Sequence, residues 1–407
     1  MNILTPVLEL VGSLGLLLYG MKLMSDGVQK SAGEKLQRTL SVVTSNKVVA
    51  ILTGMLITMI IQSSGATTVM VVTFVNAGLI SLAQSAGVIF GANIGTTITA
   101  WIVSIFGFNF KISAFAVPVV GLGYFLSIFK KRKYQNIGEA IMGFGLLFLG
   151  LSGLSSVFTP DQLGWMLNIK GTGASAIILG FLIGIVVTAL LHSSSAFSAI
   201  VITMAYNGLI SWELAAAMTL GSNVGSTVDS IMASMGTSAN GRRAALIHVM
   251  FNLFGTIVVL CFLKPFLDLV MFITPGQENS NIAIRISMLH TVFNIITTVV
   301  MTPLSGKLVK IAEFLIKDDP SEKKKVFKLE FIEHSGKENV ATYIIQAEKA
   351  IADMTDVVTD MFDKIQIGVT KRNSSYVEKY AQEMADAEDY VDQMHEQITH
   401  FLVKCQG

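Results

Sequence analysis

The chain contains two copies of one segment, which lie 130 residues apart and align without a gap. The first copy covers residues 62–104 and the second covers 192–234, and 15 of the 43 aligned positions are identical. Each copy starts with a serine-rich stretch and continues to a Gly-x-Asn-x-Gly sequence, at 91–95 and 221–225. A duplication of this kind requires a fold with two equivalent units that pack together.

The composition places both copies in a membrane. Hydrophobic residues make up 52% of the chain and charged residues only 14%, and the mean hydropathy is +0.62. No charged side chain occurs over 48–110, and over 171–241 the acidic, basic and histidine side chains are those of His192, Glu213 and Asp229. Stretches this long and apolar are typical of membrane-embedded segments. A net charge of +1 argues against a nucleic-acid partner.

The composition changes sharply near residue 316, after which a mixed-charge region follows. We therefore predict a first membrane repeat at 1–130, a second repeat with one final transmembrane helix at 131–317, and a cytoplasmic helical domain at 318–407. Residues 4–24 lack the basic start and the cleavage site of a signal peptide, so we expect them to form a retained first span.

Seven apolar blocks each have the length of one transmembrane helix. They are 4–24, 83–106, 111–129, 137–157, 213–235, 243–263 and 284–304. Two further blocks, 48–80 and 178–210, have 33 residues each, which is too long for one span and too short for two. Because each has its serine-rich break near the middle, we predict a re-entrant hairpin of two half-helices in each repeat.

Basic residues predict the orientation of the two repeats. The segment before the first hairpin holds five of them, whereas its counterpart, 152–177, holds only Lys170. The five are Lys22, Lys30, Lys35, Arg38 and Lys47. Since basic loops face the cytoplasm, equivalent loops of opposite basic content lie on opposite faces of the membrane. We therefore predict that the N-terminus is outside and the C-terminal domain cytoplasmic, and that the repeats are inverted, as in alternating-access carriers.

The two hairpin tips are the strongest candidates for a binding site. Helix N-termini present free N–H groups and a positive dipole end, which favour an anion, whereas hydroxyl oxygens also suit an alkali cation. Close packing is the alternative for any single serine, but the duplication favours a site. The candidate substrate-binding residues at the tips are Gln62, Ser63, Ser64, Thr67, His192, Ser193, Ser194 and Ser195.

The second element of each copy adds polar groups within an apolar span. Asn93 and Asn223 either fix helix packing or line the site, and their duplication favours the site. Asp229 is a cation ligand, a proton acceptor or the partner of a buried Arg, because a carboxylate in a span is costly and usually functional. We expect sodium near Ser63, Ser64, Thr68, Thr97, Ser193, Ser198, Thr227 and Asp229.

Three of the positions at which the two copies differ are singled out because they lie in or next to the polar motifs. Gly65 aligns with Ser195, Gln62 aligns with His192, and Thr99 aligns with Asp229. These mismatches predict that the two halves perform different work at the site. Two His-x-x-Phe-Asn sequences, at 248–252 and 290–294, are interpreted as packing motifs.

These motifs resemble the type II sodium/phosphate cotransporter family. The resemblance rests on Gln-Ser-Ser at 62–64, its degenerate copy at 192–195, Gly-Ala-Asn-Ile-Gly-Thr-Thr at 91–97 and the His-x-x-Phe-Asn sequences. It covers about residues 1–315 and implies sodium-coupled movement of inorganic phosphate, with the hairpin tips and unwound Asn-Gly segments forming the ion and substrate sites. Gly65 replaces the family's third serine, and His192 replaces its glutamine. These departures concern the coupling stoichiometry and the affinity more than the class of substrate.

The C-terminal region also shows a helical pattern. Residues 337–368 and 374–404 place apolar side chains at alternating steps of three and four, which predicts an antiparallel pair joined at Lys371-Arg372-Asn373. This pair is similar to the PhoU-like domain that some bacterial members of the family append. Two acidic i, i+4 pairs match that domain and suit metal binding, and the apolar stripe indicates a homodimer. The pairs are Asp356 with Asp360 and Glu388 with Asp392.

Taken together, these features predict a transporter in the bacterial inner membrane that couples sodium ions to inorganic phosphate by alternating access. Its environment is the lipid bilayer, and no cofactor is expected beyond the coupling ions. Two alternatives stay open: a sodium-coupled carrier of another divalent oxyanion (sulfate or a dicarboxylate), and a membrane-anchored phosphate sensor. No nucleophile–base set or nucleotide-binding loop is visible, so an enzyme is not expected.

Overall fold

The structure is a computed structural model, and the regular elements of its described part are all helical. It describes residues 4–41, 46–109, 115–129, 131–159, 173–274, 281–317, 340–371 and 374–406, together with Phe327 and Leu329. The predicted domain boundary near residue 318 lies outside the described residues, as do Lys170 and the turn residues Arg372 and Asn373.

The first half of the membrane region comprises six α-helices and one π-helix among the described residues. They are α1 (Leu4–Ser41), α2 (Lys47–Ile61), α3 (Ser64–Asn76), α4 (Leu82–Gly95), α5 (Thr97–Ile102), the π-helix Val103–Asn109 and α6 (Ala116–Ser127).

The described elements of the second half and of the C-terminal region are α-helices. The elements are α7 (Arg132–Val157), α8 (Ala174–Leu191), α9 (Ser194–Tyr206), α10 (Trp212–Gly225), α11 (Val228–Ser234), α12 (Ala239–Cys261), α13 (Leu263–Ile273), α14 (Ile282–Leu315), α15 (Val340–Lys371) and α16 (Ser374–Gln406).

Six helical segments of the described part are long and apolar enough to cross a membrane. They are Thr5–Ser31, Leu82–Phe108, Arg132–Val157, Ala174–Leu191, Ala239–Cys261 and Ile282–Leu315. Large apolar side chains stay exposed on the outer surface, such as Leu190 at 75% and Phe125 at 70%. Water does not tolerate so many exposed apolar groups, whereas lipid does. The chain is therefore an all-helical polytopic membrane protein.

The prediction of one continuous helix over each of the seven apolar blocks is wrong in three places. The block 83–106 lies in a span-length helical segment, but the α-helix is interrupted at Thr96, where α4 ends and α5 starts. In the block 111–129, the described residues form only the 12-residue helix α6. The block 213–235 is divided, since α10 ends at Gly225 and α11 starts at Val228. The hydroxyls of Ser226 and Thr227 donate to carbonyl oxygens one turn back, at 2.8 Å each, and so compete with the helical hydrogen bonds.

Both serine-rich breaks interrupt a helix, at equivalent positions of the two copies. Gln62 and His192 end α2 and α8 in the left-handed region, with φ of 62° and 50°. Ser63 and Ser193 then cap α3 and α9. Side chains nine residues apart across the first break meet, because Thr58 Oγ1 donates to Thr67 Oγ1 at 3.0 Å. In a continuous helix these residues would be about 13 Å apart along the axis, so the chain folds back at the tip.

Glycines allow α2 to pack closely on α4, and α8 to pack closely on α10. A side chain at Gly91 would overlap the carbonyl oxygen of Ile51, and one at Gly221 would overlap that of Phe181. The same backbone contact is thus present in both copies, between α2 and α4 and between α8 and α10. These glycines therefore serve close helix packing.

Contacts between the two halves occur in exchanged pairs. Gly20 lies against Leu147, and the equivalent Gly150 lies against Leu17. Gly20 is equivalent to Gly150, and Leu147 is equivalent to Leu17, so each contact is the copy of the other with the halves exchanged. A twofold axis between the halves produces such exchanged contacts. On the same pair of helices Gly27 lies against Ala140. Residue numbers rise along α1 as they fall along α7, so these two equivalent helices run antiparallel.

The C-terminal helices α15 and α16 form an antiparallel pair, as predicted. Tyr343 packs edge-on against Phe401 with 5.6 Å between ring centroids, and Ala350 shares a buried cluster with Met394. The helix α15 also contacts α1, and Lys349 reaches the neighbourhood of Gly78, just after α3. The pair therefore packs against the membrane region through α1 and the end of α3.

The packing of α2 on α4 predicts a strong effect of a single added methyl group. We expect Gly91→Ala to lower the free energy of unfolding by about 1–3 kcal/mol or more, because the new Cβ overlaps the Ile51 backbone. Thermal melting and size-exclusion profiles in detergent measure the effect. Gly12→Ala in α1 is the matched control, since nothing lies within 4 Å of its Cβ position. Equal melting temperatures for the two variants would contradict this packing.

Candidate functional site

The candidate site is built on the N-termini of α3 and α9. Ser63 Oγ accepts a hydrogen bond from the Ala66 N–H at 3.1 Å, and Ser193 Oγ accepts one from the Ala196 N–H at 3.2 Å. The first N–H groups of each helix have no acceptor within that helix. Each tip therefore offers free backbone donors and the positive end of a helix dipole.

The backbone at both tips is held in an unusual conformation. Gln62 and His192 are the residues other than glycine with positive φ in the described part of the chain. Residues other than glycine rarely adopt a positive φ, and residues that do so are concentrated at functional sites. The conformation turns the chain sharply between the two helices and so leaves both N-termini unobstructed.

The two tips meet in one cavity of about 410 Å³. It contains residues of both breaks, residues of α1, and residues at the α10–α11 break. The lining residues are Leu18, Met21, Lys22, Ser25, Asp26, Gln29, Gln62, Ser63, Ser64, Gly65, Ala66, Leu191, His192, Ser193, Ser194, Ser195, Ser226 and Asp229. Most of the predicted tip residues, 130 residues apart in sequence, thus line a single polar space.

Several predicted site residues do not line this cavity. They are Thr67, Thr68, Asn93, Thr97, Ser198, Asn223 and Thr227, all of them buried. Thr67 and Thr68 donate to carbonyl oxygens of the preceding turn, at 3.1 Å and 2.9 Å. Asn93 donates to the Ile89 carbonyl at 2.8 Å. These local hydrogen bonds use the donor groups of Thr67, Thr68 and Asn93.

The cavity also contains polar residues of α1 that the sequence analysis did not assign to the site. Lys22 is three and four residues before Ser25 and Asp26, and Gln29 is four and three residues after them, so the four side chains share one face of the helix. The predicted first span ended at residue 24, whereas α1 extends to Ser41. The helical spacing of these four polar side chains was the signal that could have found them.

The three mismatched positions singled out in the duplication contact one another. Thr99 lies between the tips, since its Oγ1 donates to Gln62 Oε1 at 2.9 Å and accepts from Ser195 Oγ at 3.3 Å. Asp229 takes the equivalent place. Its Oδ1 lies 2.7 Å from His192 Nδ1, and its Oδ2 lies 2.5 Å from the point where a Cβ of Gly65 would be. Two equivalent bridges thus join the tips, one neutral and one with a carboxylate.

The His-x-x-Phe-Asn sequences lie outside the cavity. His290 Nε2 contacts Asn223 Oδ1 at 2.8 Å, and His248 Nδ1 contacts Ser230 Oγ at 2.9 Å. Both histidines are buried and connect α14 and α12 to the α10–α11 element. Both histidines therefore fix the position of the α10–α11 element. This agrees with the interpretation of the two sequences as packing motifs.

The acidic pairs of the C-terminal helices remain simple i, i+4 pairs. In the described part of the chain, no group of three or more His, Cys, Asp or Glu side chains is arranged to hold a metal ion. Asp360 instead pairs with Lys364 at 2.8 Å. These carboxylates are therefore part of a solvated helix face.

The fold and the cavity together define a multi-pass membrane protein with a polar site between two duplicated halves. The family model described as Na+/Pi-cotransporter matches residues 16–156 and 166–301. This is more than half of the chain, and both copies of the serine-rich motif fall within the match. The chain belongs to the Na+/Pi-cotransporter family, which is a transporter family.

Curated relatives come from bacteria and mammals. The uncharacterized protein YqeW of Bacillus subtilis is 29% identical over 74% of this chain and 94% of its own length. The putative inorganic phosphate export protein YjbB of Escherichia coli is 28% identical over 77% of this chain, which spans 56% of YjbB. Sodium-dependent phosphate transport protein 2B of the rat is 33% identical over 31% of this chain and 18% of its own length. No solved structure matches the chain.

The cavity geometry predicts the reactivity of introduced cysteines. In a chain whose Cys261 and Cys405 are replaced by Ala, we expect Ser63→Cys and Ser193→Cys to react with a charged methanethiosulfonate, because both positions line the cavity. Thr67→Cys should react at least about tenfold more slowly, since Thr67 is fully buried. Mass spectrometry of purified protein measures the rates. Equal labelling at positions 63 and 67 would contradict the geometry.

Proposed function

We propose that this protein is a secondary transporter that couples sodium ions to inorganic phosphate. The observation that carries the proposal is the meeting of two equivalent helix N-termini in one polar cavity. Helix N-termini bind phosphate through free N–H groups and the helix dipole. Hydroxyls of Ser64 and Ser194 add donors for the remaining phosphate oxygens.

The cavity also suits a cation. Its lining combines the carboxylates of Asp26 and Asp229 with hydroxyl oxygens of the tips. Hard oxygen ligands of this kind are those that alkali cations prefer. An anion site and oxygen ligands for a cation in one space are the arrangement that sodium-coupled phosphate transport requires. The family supports this choice, and the names of two relatives include phosphate export and sodium-dependent phosphate transport.

We further propose that the two halves are inverted repeats. The support is the antiparallel packing of α1 on α7, whose residues exchange contacts as a twofold axis requires. Such an axis is perpendicular to α1, and since α1 holds a candidate span, the axis lies in the membrane plane. Inverted repeats that meet at a central site are the arrangement of alternating-access carriers.

The pair α2–α3 is proposed to be re-entrant. The support is that both of its ends lie at one end of the bundle. The carbonyl of Lys47, at the start of α2, lies against Gly87 in the second turn of α4, and α3, which ends at Asn76, is joined to the start of α4 by only five residues. Asn76 also accepts from the Ser238 N–H at 2.7 Å. Arg243 near Ser238 donates to the Ile316 carbonyl at 2.8 Å and 3.0 Å. This end carries many basic groups and is proposed to be cytoplasmic.

The proposal predicts sodium-driven phosphate flux that depends on both tips. In proteoliposomes that contain the purified chain, we expect an inward sodium gradient to drive uptake of labelled phosphate. Ser64→Ala and Ser194→Ala should each lower the flux at least about tenfold, because each removes a hydroxyl from the phosphate site. Ser127→Ala is the matched control, since this exposed hydroxyl donates only to the Tyr124 carbonyl in its own turn.

The same vesicles separate the alternatives. Sodium-stimulated sulfate or dicarboxylate flux without phosphate flux would assign the protein to another oxyanion. Phosphate binding with no flux of any of these anions would favour a sensor. Normal phosphate flux in both serine variants would remove the tips from the site.

Reporter fusions test the proposed orientation in a bacterial inner membrane. Green fluorescent protein fused after residue 407 should fluoresce, and alkaline phosphatase at the same place should be inactive, because the C-terminal helices are expected in the cytoplasm. After residue 159, which follows α7, the pattern should be the opposite. Active alkaline phosphatase at residue 407 would reverse the assignment of the faces.

A further inference from the structure

The cavity holds more negative than positive formal charge, which is unusual for a site proposed to bind an anion. Its ionisable lining residues are Lys22, Asp26, His192 and Asp229. With a neutral imidazole, two carboxylates face one ammonium group. A phosphate dianion entering this space meets repulsion that the tip donors must overcome.

Asp229 is the carboxylate closest to the tips. Its two oxygens are directed at different tips, Oδ1 at the His192 ring and Oδ2 at the backbone of Gly65. The second contact is close enough that a Cβ at residue 65 would lie 2.5 Å from Oδ2. Gly65 is therefore the residue that makes room for the carboxylate at the N-terminus of α3.

The equivalent place in the other half holds no charge. There Thr99 contacts Gln62 and Ser195, and its side chain is buried at 1% exposure. Asp229 retains 20% side-chain exposure and lines the cavity, whereas Thr99 does not. Among the departures from twofold symmetry at the tips, Asp229 is thus the one that brings a carboxylate to the substrate space.

We propose that Asp229 makes phosphate binding conditional on a bound sodium ion. This inference rests on the function proposed above and assigns the coupling to one residue. The ionised carboxylate beside the first tip repels phosphate as long as no cation is present. A sodium ion held by Asp229 and by hydroxyl oxygens of the tips cancels this charge and adds an attraction to the phosphate oxygens. Coupling between two ligands is reciprocal, so phosphate also tightens the binding of sodium.

The duplication supplies the matched variants for this proposal. Asp229→Thr introduces the residue of the equivalent bridge, and Gly65→Ser introduces the residue of the equivalent tip. Gly65→Ser alone places a side chain against the carboxylate and should impair phosphate binding. The double variant Gly65→Ser with Asp229→Thr reproduces the contact between Ser195 and Thr99. It should restore phosphate binding and make that binding independent of sodium.

The experiment measures equilibrium binding of labelled phosphate to the purified full chain in detergent, with sodium chloride or choline chloride at equal ionic strength. For the unaltered chain we expect sodium to tighten phosphate binding at least about tenfold, within the usual range of coupling between sites. For Asp229→Thr, Asp229→Asn and the double variant, the ratio of the two affinities should fall to about one. Asp229→Asn keeps the size of the side chain, and size-exclusion profiles report whether each variant is folded.

Glu213→Gln is the matched control, because it removes a carboxylate that is exposed and does not line the cavity. This variant should keep the full effect of sodium. The inference is overturned if folded Asp229→Asn retains a tenfold effect of sodium, and the proposed function then still stands. If the unaltered chain binds no phosphate at any sodium concentration, the proposed function fails and the inference fails with it. Sodium-independent binding by the unaltered chain overturns the inference alone.

Discussion

The helices α3 and α9 both begin inside an apolar bundle. The N–H groups of their first turns lack partners within the helix, and these groups determine which residues must surround them. A backbone N–H group away from water needs an acceptor, and the first turn of a helix has none within the helix. Ser63 and Ser193 each supply one acceptor through their hydroxyl oxygens. The remaining donors face a polar cavity, where water or an anion accepts from them. The site is thus a consequence of ending two helices within the membrane region.

Each half contributes to the site through contacts with the tip of the other half as well as with its own tip. Each tip contacts the broken element of both halves, through Thr99 on one side and Asp229 on the other. The pairs 65–195, 62–192 and 99–229 are the three mismatches noted in the sequence, and in the structure they are direct neighbours. A change at one of them alters the space or charge available to the others. The mismatches are therefore one coordinated departure from twofold symmetry rather than three separate ones.

Much of the fold could be predicted, because hydropathy, duplication and serine-rich breaks are local signals. The breaks at Gln62 and His192 lie where the sequence placed them. Hydropathy predicted 213–235 as one span, whereas the family resemblance implied an unwound Asn-Gly segment, and the helix does break directly after Gly225. Thr67 and Thr68 do not line the cavity, and their hydroxyls donate to carbonyl oxygens of their own helix, although their place in the site stays a prediction. A hydroxyl in a membrane helix has this local alternative, and residue type alone does not distinguish the two.

The sequence by itself determined that the chain lies in a membrane, that it has two equivalent halves and that each half has a break rich in hydroxyl groups. These properties depend on the order of residues along the chain, which periodicity and composition record. Only the tertiary structure decided that both breaks open into one cavity, that one face of α1 completes it, and that Asp229 faces Gly65. These contacts join residues that are far apart in the chain. They depend on how whole helices pack, which no local pattern specifies.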